Sequence, residues 1–473
     1  MLLTVDIGTS VFKSAIWDFE GNRPAFASVP LSISQSEGLR HEADSGQWIR
    51  AFEDCCRELG AKIRLNTVEA LIICGNGPSL TPVLKGAPDG TELALHTAPS
   101  RLWLDRRAVE AARQVSLLAG GFVDPSFFLP KALDIKLNEP PLYEKTKFFL
   151  GCPELLAYSL TGEARTVFPS DGFERWFWND SILENLELDK GKFPPFIRPG
   201  ETFGRLTPGA AARFGFKPDT PVISGGPDFF AAILGAGALR PGQVCDRAGT
   251  SEGINACTES RVEDARLMSY NHPVKPFWNL SGIVSTAGKA LEWGRDLLGV
   301  ESYDTFNALA QKARAGAGGL VFLPYLAGER APVWDPSKRG ALRGMSLSTG
   351  RPEFARSVLE GICFAIRDIT GIMEEDGAVI NELRVAGALS GSDLLNRIKA
   401  DITQKPVLVP KQKETELMGL AIIGSCALGK YASFAEAASA LVRTDKEFLP
   451  DKKNAALYDE LFGEYLRMRT GNR

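Results

Sequence analysis

The first 22 residues read MLLTVDIGTSVFKSAIWDFEGN, and the alternation of apolar runs with turn residues in them is the clearest structural signal in the chain. The run Leu2–Ile7 stops at Gly8-Thr9-Ser10, a second run extends over Val11–Trp17, and Asp18-Phe19-Glu20-Gly21-Asn22 closes it, so the spacing predicts a β-hairpin. About half a chain later Gly249-Thr250-Ser251 and Ala256 repeat the spacing of Gly8-Thr9-Ser10 and Ala15, which suggests an internal duplication. Between the two, apolar runs such as residues 68–74 and 221–226 break at glycines and alternate with helical patterns, as in an α/β fold. Amphipathic helices are predicted over residues 353–373 and 393–403, and an apolar helix from about Phe229. A boundary between halves falls in the glycine-rich stretch 235–242, giving domains 1–238 and 239–473.

Composition narrows the function. With 473 residues the chain has room for two or three domains at ~100–200 residues each. Fifty-four Lys and Arg against 58 Asp and Glu leave a net charge of −4, without the basic footprint of a nucleic-acid partner. No apolar run reaches the ~20 residues of a membrane span, and Asp6 with no basic segment before it is unlike a secretory signal. A cytoplasmic protein is the expectation. The eight cysteines form no C-x-x-C, and the three histidines do not neighbour them, so reduced structural thiols are expected rather than zinc or a Cys–His nucleophile.

A chain with 47 glycines raises the question of phosphate binding. The P-loop pattern is missing, since residues 282–289 carry one intervening residue too many and end on Ala290, and no G-x-G-x-x-G follows a strand. What remains is Asp6 to Lys13. A strand-end acid can hold hydrated Mg2+, Gly8 lets backbone amides approach an anion, Thr9 and Ser10 donate to phosphate oxygens, and Lys13 neutralises charge. A plain hairpin turn with a solvated lysine has the same composition. Gly249-Thr250-Ser251 offers a second cradle, and Asp228 stands at a strand-to-helix junction, either as a functional acid or as a helix cap. Trp176 and Trp178 could line a sugar pocket, with core packing the favoured reading.

The stretches DIGTS…K, GGPDFFAAILGAG, GTS, AGERAPVWDPSKRGALRGMSL and LEGICFAIRDI, in this order and over nearly the whole chain, resemble the FGGY carbohydrate kinases. The resemblance implies two actin-like (ribonuclease H-like) α/β domains with an interdomain cleft, and ATP-dependent phosphorylation of a sugar, polyol or sugar acid. It implies Asp228 as the base that deprotonates the acceptor hydroxyl, Asp6 with Asp228 at Mg2+, and Gly8, Thr9, Ser10, Lys13, Gly249 and Thr250 at the ATP phosphates. Gly288 and Glu292 match a stretch near the nucleotide; Gly387, Ala388 and Ser392, with residues 416–421, match the pieces that hold adenosine. Asn76, Trp103, Asp105 and Phe229 fall where the family meets its sugar. The implied partners are ATP and a small sugar or polyol, with a homodimer left open. An actin- or chaperone-like ATPase, or a family member that binds without catalysing, are the alternatives.

Departures from the family pattern carry expectations too. Gly387-Ala388-Leu389 replaces consecutive glycines, which implies weaker ATP binding. Gly75-Asn76-Gly77-Pro78-Ser79 and Phe229 depart from the xylulokinase pattern, which argues against a typical xylulokinase.

Overall fold

The computed structural model describes residues 1–86 and 96–471. The chain forms two compact units: Met1–Ala231 with Glu416–Leu441, and Ala232–Thr415 with Val442–Arg473. The segment 416–441, which follows most of the second unit in sequence, packs with the first. Among the described residues no helix is long and apolar enough to cross a membrane.

The first unit is built on strands β1 (Leu2–Ile7), β2 (Val11–Trp17), β3 (Ala25–Pro30), β4 (Ala70–Gly75), β5 (Thr202–Arg205) and β6 (Pro221–Pro227), in the sheet order β5-β6-β4-β1-β2-β3. The sequence hairpin is there, with Asp6 opposite Lys13 and Ile7 opposite Phe12. β1 pairs in parallel with β4, and β4 with β6. All six residues of β1 and of β4 are buried, the mark of central strands covered on both faces. Helix Gly46–Gly60 covers one face through Trp48, Ala51, Phe52, Cys55, Cys56 and Leu59, whose spacing of three and four residues makes one apolar stripe.

The second unit repeats the plan with β7 (Gly242–Ala248), β8 (Glu252–Thr258), β9 (Met268–Asn271), β10 (Trp278–Val284), β11 (Ile380–Ala386), β12 (Val407–Pro410) and β13 (Thr444–Phe448), ordered β9-β10-β8-β7-β11-β12-β13. Here β7 is antiparallel to β8 and parallel to β11, as β1 is to β2 and β4. The turns differ by one residue: Gly8 donates to Val11 O at 3.1 Å, whereas Gly249 donates to Ser251 O at 2.9 Å. The long helix Arg351–Glu375 lies in this unit's core, with Val358, Ile362, Ile366 and Ile369 buried. Helix Asp393–Thr403 occupies the predicted span.

Trp178 is a core residue, its ring 5.0 Å from Phe193 and 4.9 Å from Phe196. Trp176 stacks on Phe127 and meets Phe173 edge-on, and Phe173 in turn stacks on Phe229.

Candidate functional site

Asp6 is the penultimate residue of β1 and almost fully buried. Burial pushes its carboxyl up to about 8, with the charges of Glu416 and Asp228 adding to the effect, while Lys13 and a hydrogen bond from Cys74 work against it. Two further acids, Asp228 and Glu416, therefore act on Asp6 within the first unit, opposed by one lysine. Asp228 opens helix Asp228–Ala236 directly after β6, and its carboxylate accepts Phe229 N at 2.7 Å. Among the described residues no group of three or more His, Cys, Asp or Glu is spaced for metal binding by protein ligands alone. Carboxylates that raise one another's affinity for a positive charge still suit a cation that keeps most of its waters, as Mg2+ does.

Gly8 is dictated by space, because a Cβ there would lie 2.6 Å from Val11 O. Thr9 Oγ1 accepts the indole N–H of Trp103 at 2.9 Å, which ties the first hairpin to the loop after residue 101. Asn76 is buried; its side-chain amide donates to Ile7 O at 2.9 Å and accepts from Ser79 Oγ at 2.7 Å. Asp105 is fully buried, accepting from His41 N at 2.9 Å and from the Arg107 guanidinium, which also reaches Glu42 at 2.7 Å. Burial alone would raise its carboxyl, yet Arg107 and the amides of His41 and Arg107 outweigh it and hold Asp105 below the usual carboxylate range. Asn76 and Asp105 thus spend their polar atoms on holding loops in place.

In the second unit the stretch 285–289 docks on the second hairpin. Gly288 N donates to Gly249 O at 3.0 Å, and Ala287 N and Lys289 N donate to Thr250 O at 3.3 and 3.2 Å. A Cβ at Gly288 would overlap Gly249 O, and one at Gly387 would overlap Ala248 O, so both glycines allow close approach to the hairpin backbone. Glu292 pairs with Lys289 at 2.8 Å. Residues 388–391 make a single 3-10 turn in which Ala388 is exposed and Leu389 packs against the core. Ser392 caps helix Asp393–Thr403 by accepting Leu395 N at 3.3 Å. Below the hairpin, and unforeseen in the sequence, Lys399 contacts Asp246 and donates to Glu252 Oε1 at 2.7 Å, all three at most 1% exposed. Burial, followed by the charge of Asp246, raises Glu252 well above the usual carboxylate range.

Family models describing the N-terminal and C-terminal domains of the FGGY family of carbohydrate kinases match residues 1–235 and 247–428. The chain belongs to this family. A xylulose kinase of Staphylococcus epidermidis is 28% identical over 480 residues, covering 98% of this chain and 95% of the relative. A gluconokinase of Bacillus subtilis is 26% identical over 417 residues, covering 83% and 79%. The crystal structure of a ligand-bound xylulose kinase from Lactobacillus acidophilus superposes with a TM-score of 0.87 at 24% identity, covering 100% of this chain and 98% of that one. The protein is a carbohydrate kinase, and its two α/β units have the actin-like fold that the sequence resemblance implied. In this kinase Glu416, Lys131, Asp246, Glu252 and Lys399 are among the buried charges that the motifs did not reveal. Lys131 and Lys399 lie on helices, Asp246 and Glu252 on the strands either side of the second hairpin turn, and Glu416 lies within a stretch matched only to adenosine.

Proposed function

We propose that this carbohydrate kinase transfers the γ-phosphoryl group of ATP to a hydroxyl of a small sugar, polyol or sugar acid, with Asp228 as the general base. The observation that carries the reading is the electrostatic contact of Asp228 with Asp6, which joins a strand-end acid of the phosphate-type hairpin to an acid at the start of a helix within one unit. Asp228 accepts the proton of the acceptor hydroxyl as its oxygen attacks. In the first unit Thr9, Ser10 and Lys13 offer groups for phosphate oxygens and Gly8 admits backbone amides; in the second unit Thr250 and Gly249 offer the same kinds of group. Because phosphoryl transfer from ATP has a loose transition state, positioning and charge neutralisation do most of the work.

Asp6, with Asp228 beside it, would hold Mg2+, which supplies charge neutralisation at the phosphates when bound. Gly387, Ala388 and Ser392 would border adenosine, Gly288 supports the second hairpin through its bond to Gly249 O, and Glu292 pairs with Lys289 beside it. On the acceptor side Trp103 and Phe229 offer ring faces to a sugar; Asp105 stiffens the loop that carries Trp103, and Asn76 the loop after β4. Likeness to a xylulose kinase and a gluconokinase favours a ketose or an aldonate as acceptor. Eight free cysteines suit the reducing cytoplasm.

The test is ADP formation from Mg2+-ATP with a panel of pentuloses, hexuloses, polyols and sugar acids. Turnover that requires one of these acceptors supports the reading. Hydrolysis that proceeds equally without acceptor points to an ATPase, and nucleotide or sugar binding without any turnover points to a non-catalytic member; either result overturns it.

A further inference from the structure

Lys131 lies on helix Phe128–Asn138 with no solvent exposure. Its ammonium group donates to Pro78 O and Leu102 O, both at 2.7 Å, and more weakly to Arg101 O at 3.4 Å. Three donors thus meet three carbonyls, and the carbonyls come from two separate loops: the one after β4 that carries Asn76, and the one that carries Trp103 and Asp105. Between them Leu80 and Arg101 exchange backbone hydrogen bonds at 2.8 Å. Burial pushes Lys131 down to about 7, with Asp105 and Asp124 favouring its charge and Arg101 and Arg107 opposing it. A buried amine held chiefly by carbonyls is costly to desolvate, and the geometry it enforces serves either the fold or the site.

The next residue along suggests which. Trp103 follows Leu102 directly, and its indole N–H donates to Thr9 Oγ1 at 2.9 Å. A threonine hydroxyl that accepts this bond keeps its own proton for another acceptor, which orients it as a donor. We propose that Lys131 is a positioning residue that clamps the two acceptor loops together and, through Leu102 and Trp103, sets the Thr9 hydroxyl of the phosphate hairpin, so that acceptor binding and phosphate grip depend on one brace. The inference rests on the kinase reading and adds a residue that touches neither substrate.

The test compares Lys131→Met, Lys131→Arg, Trp103→Phe and the Lys131→Met/Trp103→Phe double variant with the wild type, using whichever acceptor turns over fastest in the panel. Loss of the clamp is expected to raise the acceptor KM roughly tenfold to a hundredfold, the scale of a misplacement of about 1 Å, and, through the Thr9 hydroxyl, to raise the ATP KM in the same variants by a smaller factor. Lys131→Arg should recover part of the loss, and the double variant should be no worse than the poorer single variant. A folded Lys131→Met with the wild-type acceptor KM, or with the wild-type ATP KM, overturns the proposal. If Lys131→Met does not fold, Lys131→Arg and Trp103→Phe decide: an unchanged acceptor KM in both refutes it. A wild type that turns over with no acceptor fails the kinase reading instead, and the inference falls with it.

Discussion

The two repeated glycines look interchangeable in sequence, and the structure predicts that they are not. At Gly8 a Cβ would stand 2.6 Å from Val11 O, where ordinary contact begins at 3.4 Å, so about 0.8 Å must be found. The opposing atom is a carbonyl of the same tight turn, already bonded to Gly8 N at 3.1 Å, and it has no side-chain freedom with which to yield. Gly8→Ala must therefore open the turn and move the amides and hydroxyls of Thr9 and Ser10. Overpacking of this kind costs roughly 1–3 kcal/mol in stability, and a displacement near 1 Å in a catalytic frame costs about 100-fold in rate. At Gly249 the nearest atom to an added Cβ is Ser251 O at 3.6 Å, an ordinary contact, so Gly249→Ala is expected to stay within about threefold of wild type, worth under ~1 kcal/mol. Steady-state kinetics with ATP varied at saturating acceptor, together with acceptor binding measured by calorimetry without nucleotide, separates the effects. Gly8→Ala should lose kcat/KM for ATP while acceptor affinity holds. Equal losses in the two variants, or a Gly8→Ala enzyme with wild-type ATP kinetics, would refute the argument.

Asp228→Asn should lower kcat by roughly 100- to 10,000-fold with acceptor binding retained, because an amide can still bond the hydroxyl but cannot take its proton; more than a tenth of wild-type turnover rules Asp228 out as the base. Lys399→Met leaves Asp246 and Glu252 buried without their cation and should cost about 3–5 kcal/mol, whereas replacing all three with leucine or methionine should recover most of it; unchanged thermal unfolding in Lys399→Met contradicts this. Glu154, buried with one oxygen accepting Val167 N at 3.1 Å and the other unpartnered, is pushed from 4.5 up to about 7 by burial. Between those values the unfolded chain releases a proton that the folded chain keeps, so stability falls as pH rises through the window and then levels off, by an amount on the order of 3 kcal/mol. Glu154→Gln should therefore gain stability over wild type at pH 8 and much less at pH 5; a variant destabilised equally at both overturns the assignment.

What the sequence made legible was local. The first hairpin follows from two apolar runs around a glycine turn, and the second from its echo, including the shared plan of the two sheets. The helix 393–403 was marked by its periodicity. The partners of each site residue were not legible, because they come from distant parts of the chain: Glu416 acts on Asp6, and Lys131 meets Pro78 and Leu102. Charged residues on amphipathic helices read as solvated, and Lys131 and Lys399 are buried only because carbonyls or carboxylates from other elements wait for them. Gly288 and Gly387, matched to nucleotide-handling stretches, owe their missing side chains to the hairpin backbone beside them.

The return of residues 416–441 to the first unit has a consequence for biosynthesis. Helix Thr415–Ala427 brings Gly424 onto Ile72, where a Cβ would come within 2.6 Å, Leu420 against Gly225 and Gly419 against Ala231 O. Those surfaces of β4 and β6 leave the ribosome long before the helix that covers them. At about 5–20 residues per second, translation of the intervening stretch takes roughly ten to forty seconds, during which the emerged first half carries an open apolar face that is exposed to association.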